Sequence, residues 1–117
     1  KKKKNLNDPW PVNKVDAIYT ANTFHIVSWE LITRFFAGVN QHLNQQGVVC
    51  VYGPFKYKGE FTSPSNNEFN SLLQSRDPLS GIRDFEAIEQ LAVQSGLKLL
   101  SDTAMPANNQ LLIFKRQ

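Results

Sequence analysis

The chain has 117 residues, enough for one domain or part of one. Hydrophobic residues make up 41% and charged residues 20% of it, which excludes a wholly disordered chain. The formal net charge is +3, but the four lysines at positions 1–4 contribute +4, so the remaining residues carry −1 and are not expected to bind nucleic acid.

Simple counts exclude several further kinds of protein and site. No apolar run approaches the roughly 20 residues that a membrane-spanning helix needs. No apolar segment follows the N-terminal lysines, so we expect residues 1–8 to be a solvated tail or linker rather than a secretory signal. Cys50 is the only cysteine, which excludes an intramolecular disulfide and favours a reducing, cytoplasmic setting. The two histidines, His25 and His42, lie in unrelated contexts, so no metal site is expected.

The first half of the chain has the pattern of a strand, a helix and a second strand. In residues 15–20 and 48–52, apolar side chains occur at both odd and even positions, which predicts strands buried on both faces. Ser28 is suited to cap a helix that closes in the turn 44–47. That helix has one apolar stripe, made of Leu31, Ile32, Phe35, Phe36, Val39 and Leu43. Short connections make this a βαβ unit with parallel strands.

The second half begins with an insertion and ends in a strand pair. Residues 55–64 are interpreted as a loop, and Ser65 with Glu68 has capping-box spacing for a helix over 66–76. Asp84 is suited to cap a further helix. Strands are predicted over 97–105 and 110–115, and the short turn between them requires an antiparallel pair.

Several segments resemble a known enzyme class. Residues 16–26 (DAIYTANTFHI) resemble the fourth strand and following loop of class I S-adenosylmethionine-dependent methyltransferases. Five further segments are similar to those of the methyltransferase-like 26 family and its uncharacterised bacterial relatives. They are YGPFK at 52–56, TSPSN at 62–66, RDP at 76–78, GIRD at 81–84 and MPANN at 105–109. The resemblance covers about residues 9–117, and the terminal antiparallel pair also matches that fold.

The resemblance implies an α/β fold that is the C-terminal half of a Rossmann-like methyltransferase sheet. Such enzymes begin with a strand and a Gly-rich turn that holds the cofactor, and an acidic residue after the second strand holds the ribose. Neither feature occurs in these 117 residues. We therefore expect a single partial domain over 1–117, with S-adenosylmethionine bound by the full-length protein and this portion inactive alone. The bared sheet is expected to self-associate or to pack against an N-terminal half.

The resemblance also implies the site, because ligands of such sheets bind at the carboxyl ends of the parallel strands. The implied cofactor-binding residues are Asn22, Thr23 and His25, and His25 is also a weak candidate for a general base. The alternative is that Asn22 and His25 cap the following helix. The implied substrate-binding residues are Tyr52, Pro54, Lys56 and Arg83.

These substrate-binding assignments have structural alternatives. For residues 52–56, the alternative is a strand stop followed by a surface lysine. For Arg83, it is a salt bridge: the pairs Arg76-Asp77 and Arg83-Asp84 would close the insertion rather than anchor an anionic substrate.

Three functions fit this sequence. The leading one is a portion of a methyltransferase with an unknown acceptor. The second is a non-catalytic, methyltransferase-like interaction domain. The third is a dinucleotide-dependent oxidoreductase, and it is the least favoured because a terminal antiparallel pair is atypical of that class.

Overall fold

The computed structural model describes residues 14–117, so the proposed tail at 1–8 lies outside the described residues. Three helices and seven strands follow one another in this part of the chain. They are β1 (Val15–Ala21), α1 (Trp29–His42), β2 (Leu43–Gly53), β3 (Phe55–Tyr57), β4 (Glu60–Phe61), α2 (Pro64–Arg76), β5 (Arg83–Asp84), α3 (Phe85–Gln94), β6 (Leu97–Met105) and β7 (Asn109–Arg116).

The main sheet has the strand order β1-β2-β7-β6. The strands β1 and β2 are parallel, with Tyr19 opposite Cys50, which confirms the predicted βαβ unit. The strands β6 and β7 are antiparallel, as predicted, and β7 lies between β2 and β6. The expected α/β fold class is confirmed. Within the described residues, β1 forms one edge of this sheet and has no neighbour on its outer side.

Two helices cover one face of the sheet and form the core with it. Helix α1 begins where predicted, because the Ser28 hydroxyl accepts a hydrogen bond from the Leu31 amide at 3.3 Å. Its apolar stripe and that of α3 pack on alternate residues of β2 and β7. The buried members of this core include Ile32, Phe35, Phe36, Val39, Val49, Val51, Ile88, Ala92, Leu112 and Phe114.

The opposite face of the sheet is uncovered in the described residues, which corrects the prediction of strands buried on both faces. Strand alternation places Ala17, Tyr19, Val48, Cys50 and Ile113 there, and none of these residues is buried. Tyr19 is 47% exposed. We call these five residues the open sheet face. The strand prediction was right, and within residues 14–117 only one face is buried, because both packing helices lie on the same side. This uncovered face agrees with the expectation of a sheet exposed on one side.

Local geometry corrects three smaller predictions. The register between β1 and β2 shifts where residues 44–47 bulge out of β2, so the predicted helix-closing turn is an irregular strand start. Residues 55–64 are not a simple loop, because β3 pairs with both β4 and β5. Helix α2 is capped by Ser63 instead of Ser65: the Ser63 hydroxyl accepts from the Asn66 amide at 3.1 Å, and Pro64 occupies the first turn.

Candidate functional site

The carboxyl ends of β1 and β2 are tied together at Asn22. The Asn22 amide donates to the Tyr52 carbonyl at 2.8 Å, and the backbone of Asn22 has a left-handed φ of 54°. Asparagine tolerates this conformation better than most residues. Its side chain is exposed beyond the strand ends. The neighbouring Thr23 hydroxyl donates back to the Ala21 carbonyl at 3.0 Å.

The imidazole of His25 lies against the end of β2. Only 5% of His25 is exposed, and a Cβ built on Gly53 would lie 3.8 Å from its Nδ1 atom. The ring of Phe69, on α2, lies 5.6 Å from the imidazole between centroids. Burial lowers the pKa of His25 below 6.5, and the positive charge of Arg83 lowers it further. The imidazole is therefore neutral at pH 7 and can accept a proton.

Helix capping does not explain Asn22 or His25. The N-cap of α1 is Ser28, whose own hydroxyl makes the capping bond. Asn22 and His25 instead lie in the connection before that residue, at the end of the parallel strands. The residues implied as cofactor-binding are thus together at the edge of the sheet where α/β proteins bind ligands.

Helix α2 and the turn between β6 and β7 complete this edge. The Asn66 amide nitrogen donates to the Asn108 carbonyl at 3.3 Å, and the Asn108 amide nitrogen donates to the Ser65 hydroxyl at 3.2 Å. The Asn109 amide nitrogen donates to the Tyr52 hydroxyl at 3.4 Å. The sequence pattern did not predict this contact of Asn66 with the turn between β6 and β7. The cap-proximal position of this residue on a weakly amphipathic helix gave no signal of this long-range contact.

The four residues implied as substrate-binding do not lie together. Lys56 and Arg83 line a cavity of about 300 Å³ behind the loop that carries His25. Tyr52 and Pro54 do not line it. Tyr52 instead belongs to the strand-end site, through its bonds to Asn22 and Asn109.

Arg83 fixes the loop that carries His25. Its Nε donates to the Phe24 carbonyl at 3.1 Å, and its Nη2 donates to the Val27 and Leu79 carbonyls at 2.6 and 2.7 Å. The Gly81 amide donates to the His25 carbonyl at 3.0 Å. Arg83 therefore binds backbone oxygens rather than pairing with a neighbouring aspartate.

Asp84 is paired across the insertion. Its Oδ1 atom lies 3.9 Å from Lys56 Nζ. This ion pair and the carbonyl contacts of Arg83 take the place of the predicted salt bridges within the two Arg-Asp pairs.

Two kinds of site are absent from residues 14–117. No three His, Cys, Asp or Glu side chains in this part of the chain are grouped so that they could hold a metal ion. None of its helices combines the length and the apolar character that crossing a membrane requires.

The fold is similar to the C-terminal part of the fold of solved O-methyltransferases. The O-methyltransferase family 2 protein from Planctomyces limnophilus DSM 3776, solved in complex with apigenin, matches with a TM-score of 0.81 at 17% identity, over 97% of this chain and 34% of that one. An O-methyltransferase family protein from Burkholderia thailandensis matches with a TM-score of 0.81 at 14% identity, over the same shares of the two chains. LepI in complex with S-adenosylmethionine matches with a TM-score of 0.77 at 15% identity, over 97% of this chain and 29% of that one.

The chain spans about a third of the length of the solved structures it matches, and it corresponds to the C-terminal part of their fold. Over residues 2–116 it matches the family described as "Protein of unknown function (DUF938)". The chain belongs to this family.

Proposed function

We propose that the chain is the C-terminal part of an S-adenosylmethionine-dependent methyltransferase, related to the methyltransferase-like 26 family, with an acceptor still to be identified. The observation that carries the proposal is the strand-end edge: Asn22, Thr23 and His25 lie together where β1 and β2 end. The methyltransferase fold supports it, as does the bound S-adenosylmethionine in the LepI structure.

The chain's residues fit only part of a cofactor site. The exposed Asn22 side chain and the neutral imidazole of His25 suit the reacting end of the site, where methyl donor and acceptor meet. A Gly-rich turn and a ribose-binding carboxylate after a second strand do not occur in the sequence. S-adenosylmethionine, when bound, supplies an electrophilic methyl group on a sulfonium.

His25 is proposed to act on the acceptor. Its neutral imidazole takes the proton from the attacking hydroxyl or amine, which increases the nucleophilicity of that atom. The Phe69 ring packs beside the imidazole, and the backbone of Gly53 leaves room for it at the end of β2. The left-handed turn at Asn22 brings the loop back across the end of β2, so that the imidazole lies beside the strand ends. The remaining catalytic contribution is alignment of donor and acceptor.

Calorimetry tests the proposed function directly. The natural protein with its N-terminal part is expected to bind S-adenosylmethionine, whereas residues 1–117 alone bind at least about a hundredfold more weakly, because the cradle for the methionine and ribose is outside them. Micromolar binding by residues 1–117 alone would contradict this division of the site. No binding by the longer protein would contradict the methyltransferase proposal itself.

A non-catalytic interaction domain is the second candidate, favoured by the apolar open sheet face. Cofactor binding by the longer protein distinguishes the two functions. An interaction domain buries this face against a partner and does not bind S-adenosylmethionine, whereas the methyltransferase binds the cofactor with or without a partner.

Substitutions at the strand ends are expected to lower activity without unfolding the protein. Asn22→Gly keeps the left-handed backbone and removes only the side chain, whereas alanine there would add about 1 kcal/mol of strain. We expect Asn22→Gly to weaken cofactor affinity or turnover about tenfold. His25→Gln removes the proton acceptor and is expected to lower kcat by a factor on the order of 10² or more. Steady-state kinetics and thermal melting measure both effects.

The pH profile distinguishes a base from a contact residue. The neutral form of His25 exists above its pKa, which burial lowers below 6.5. Activity should therefore persist below pH 6.5 and fall as the pH decreases through the lowered pKa of His25. This decrease at low pH should be absent in His25→Gln. Asn67→Ala, on the exposed side of α2, is the matched control and should leave activity unchanged. Unchanged kinetics in both site variants would remove Asn22 and His25 from the site.

A further inference from the structure

We propose that the cavity behind the His25 loop binds a small aromatic acid that also carries a hydroxyl group. The cavity has a volume of about 300 Å³, within the range of small-molecule sites. It is bounded by the start of α1, one side of α2, residues 78–83 and the start of α3. None of Asn22, Thr23 and His25 lines it, so the site is separate from the strand ends and its test does not depend on methyl transfer.

The charges around the cavity favour a monoanion. Lys56 and Arg83 are positive and Asp84 is negative, so its three charged side chains sum to +1. The Lys56 ammonium lies 3.9 Å from Asp84 Oδ1, too far for a hydrogen bond, so its donors remain available to a ligand carboxylate.

Asp84 also provides the feature that calls for a hydroxyl. Its Oδ1 atom is buried and has no hydrogen-bond partner. Although Asp84 occupies the N-cap of α3, its side chain makes no capping bond. Buried acceptors in native proteins are nearly always satisfied. The Asp84 side chain as a whole is 43% exposed and lines the cavity, so a ligand hydroxyl can donate to the accessible part of this carboxylate.

Two side-chain amides on α2 add donors to the wall. The Asn70 side-chain oxygen accepts a hydrogen bond from the Ile82 amide at 2.8 Å. The Asn70 NH₂ group is then left as a donor for a ligand. A Cβ on Gly81 would lie 3.0 Å from the Asn70 oxygen and 3.2 Å from the Gln74 nitrogen. The absence of a side chain at Gly81 therefore lets both amides pack against this loop.

Apolar groups at the rim favour a flat ligand. The indole of Trp29 is 37% exposed, and the Arg83 guanidinium carbon lies 5.9 Å from its ring centroid. Leu79, also in the lining, is 65% exposed. An aromatic ring placed against Trp29 and Leu79 removes both from water, while its two polar groups reach the charged wall.

The test is calorimetric titration of the full-length natural protein with 4-hydroxybenzoate. Benzoate, which lacks the hydroxyl, and phenol, which lacks the carboxylate, should each bind at least about tenfold more weakly, because each leaves a charged group without its hydrogen bond. Lys56→Met should weaken 4-hydroxybenzoate binding about tenfold or more and abolish its advantage over phenol. Asp84→Ala, which removes the hydrogen-bond acceptor, should abolish the advantage of 4-hydroxybenzoate over benzoate.

Lys58→Met is the matched control, because Lys58 is an exposed lysine two residues away that does not line the cavity. It should leave all three affinities unchanged, and melting temperatures should show that each variant is folded. The proposal is overturned if wild-type protein shows no binding of 4-hydroxybenzoate at millimolar concentration. It is equally overturned if folded Lys56→Met and Asp84→Ala bind the three compounds as wild type does.

Discussion

Arg83→Met is expected to lower the free energy of unfolding by about 3 kcal/mol or more. Arg83 donates to three backbone carbonyls, those of Phe24, Val27 and Leu79. Phe24 is 4% exposed and is part of the core. Methionine keeps much of the apolar length of the side chain but leaves these carbonyls without donors. Water can replace the donor at exposed Leu79, whereas the Phe24 and Val27 carbonyls are in partly buried bonds, and an unsatisfied buried acceptor costs roughly 1–3 kcal/mol.

Two matched variants separate this effect from the loss of a charge. Arg34→Met removes an exposed guanidinium that pairs with Glu30 at 2.9 Å on the same helix, and such pairs contribute roughly 0.3–0.5 kcal/mol. Arg83→Lys keeps the charge but not the planar set of donors, so it should recover only part of the stability. Urea unfolding of the natural protein measures all three. If Arg83→Met and Arg34→Met cost the same, the carbonyl contacts are not stabilising the fold.

The segment that Arg83 anchors joins the two sites of the protein. The His25 carbonyl accepts from the Gly81 amide, and the Ile26 carbonyl accepts from the Ser80 hydroxyl. Residues 78–83 thus line the cavity on one side and support the loop of His25 on the other. A loss of loop position in Arg83→Met should therefore appear in both sites.

The regular elements were predictable because their residues have strong periodicity. The apolar stripe of α1 and the Ser28 cap are local patterns, and they placed the helix correctly. The predicted strand 97–105 agrees with β6 at both ends. The parallel β1–β2 pair followed from the short connections of a βαβ unit.

Contacts between distant segments were not predictable in this way. The small sheet of β3, β4 and β5 consists of strands of two or three residues, too short for any alternation to be recognised. Ser63 and Ser65 are both suitable caps by sequence, and the actual start of α2 is set by Pro64 in its first turn. The carbonyl partners of Arg83 lie up to 59 positions away in the sequence, so no local pattern predicts these contacts.

The candidate site was predicted as a cofactor-binding set and a substrate-binding set of residues, and the structure divides the second set. The resemblance implied Asn22, Thr23 and His25, and the βαβ topology predicted that they lie at the strand ends. The separation of Lys56 from Tyr52 did not, because the backbone turns at Pro54 and β3 continues toward β5. Lys56 therefore lines the cavity, whereas Tyr52, four residues earlier, lies at the strand ends.

Residues 1–117, produced alone, are expected to self-associate instead of forming a stable monomer. The open sheet face presents apolar side chains, and β1 has an unpaired outer edge within the described residues. At roughly 25 cal/mol per Å², about 400 Å² of exposed apolar surface forfeits on the order of 10 kcal/mol. That is comparable with the roughly 5–15 kcal/mol that stabilises a typical domain. An open strand edge also pairs readily with another chain. Sedimentation at low micromolar concentration measures the association.

Charged substitutions on the open sheet face should have opposite effects on residues 1–117 alone and on the natural protein with its N-terminal part. The double variant Tyr19→Lys/Ile113→Lys should reduce association of residues 1–117, because solvated charges replace the apolar contact surface. In the natural protein with its N-terminal part, the same change should destabilise by several kcal/mol, roughly the cost of burying unpaired charges. Val93→Lys is the matched control, since Val93 is 59% exposed on α3, away from this face, and should have little effect in either setting. If residues 1–117 alone form a cooperative, folded monomer, this part of the chain has a sufficient core of its own. If the double variant leaves the natural protein as stable as it leaves residues 1–117, nothing covers the open sheet face.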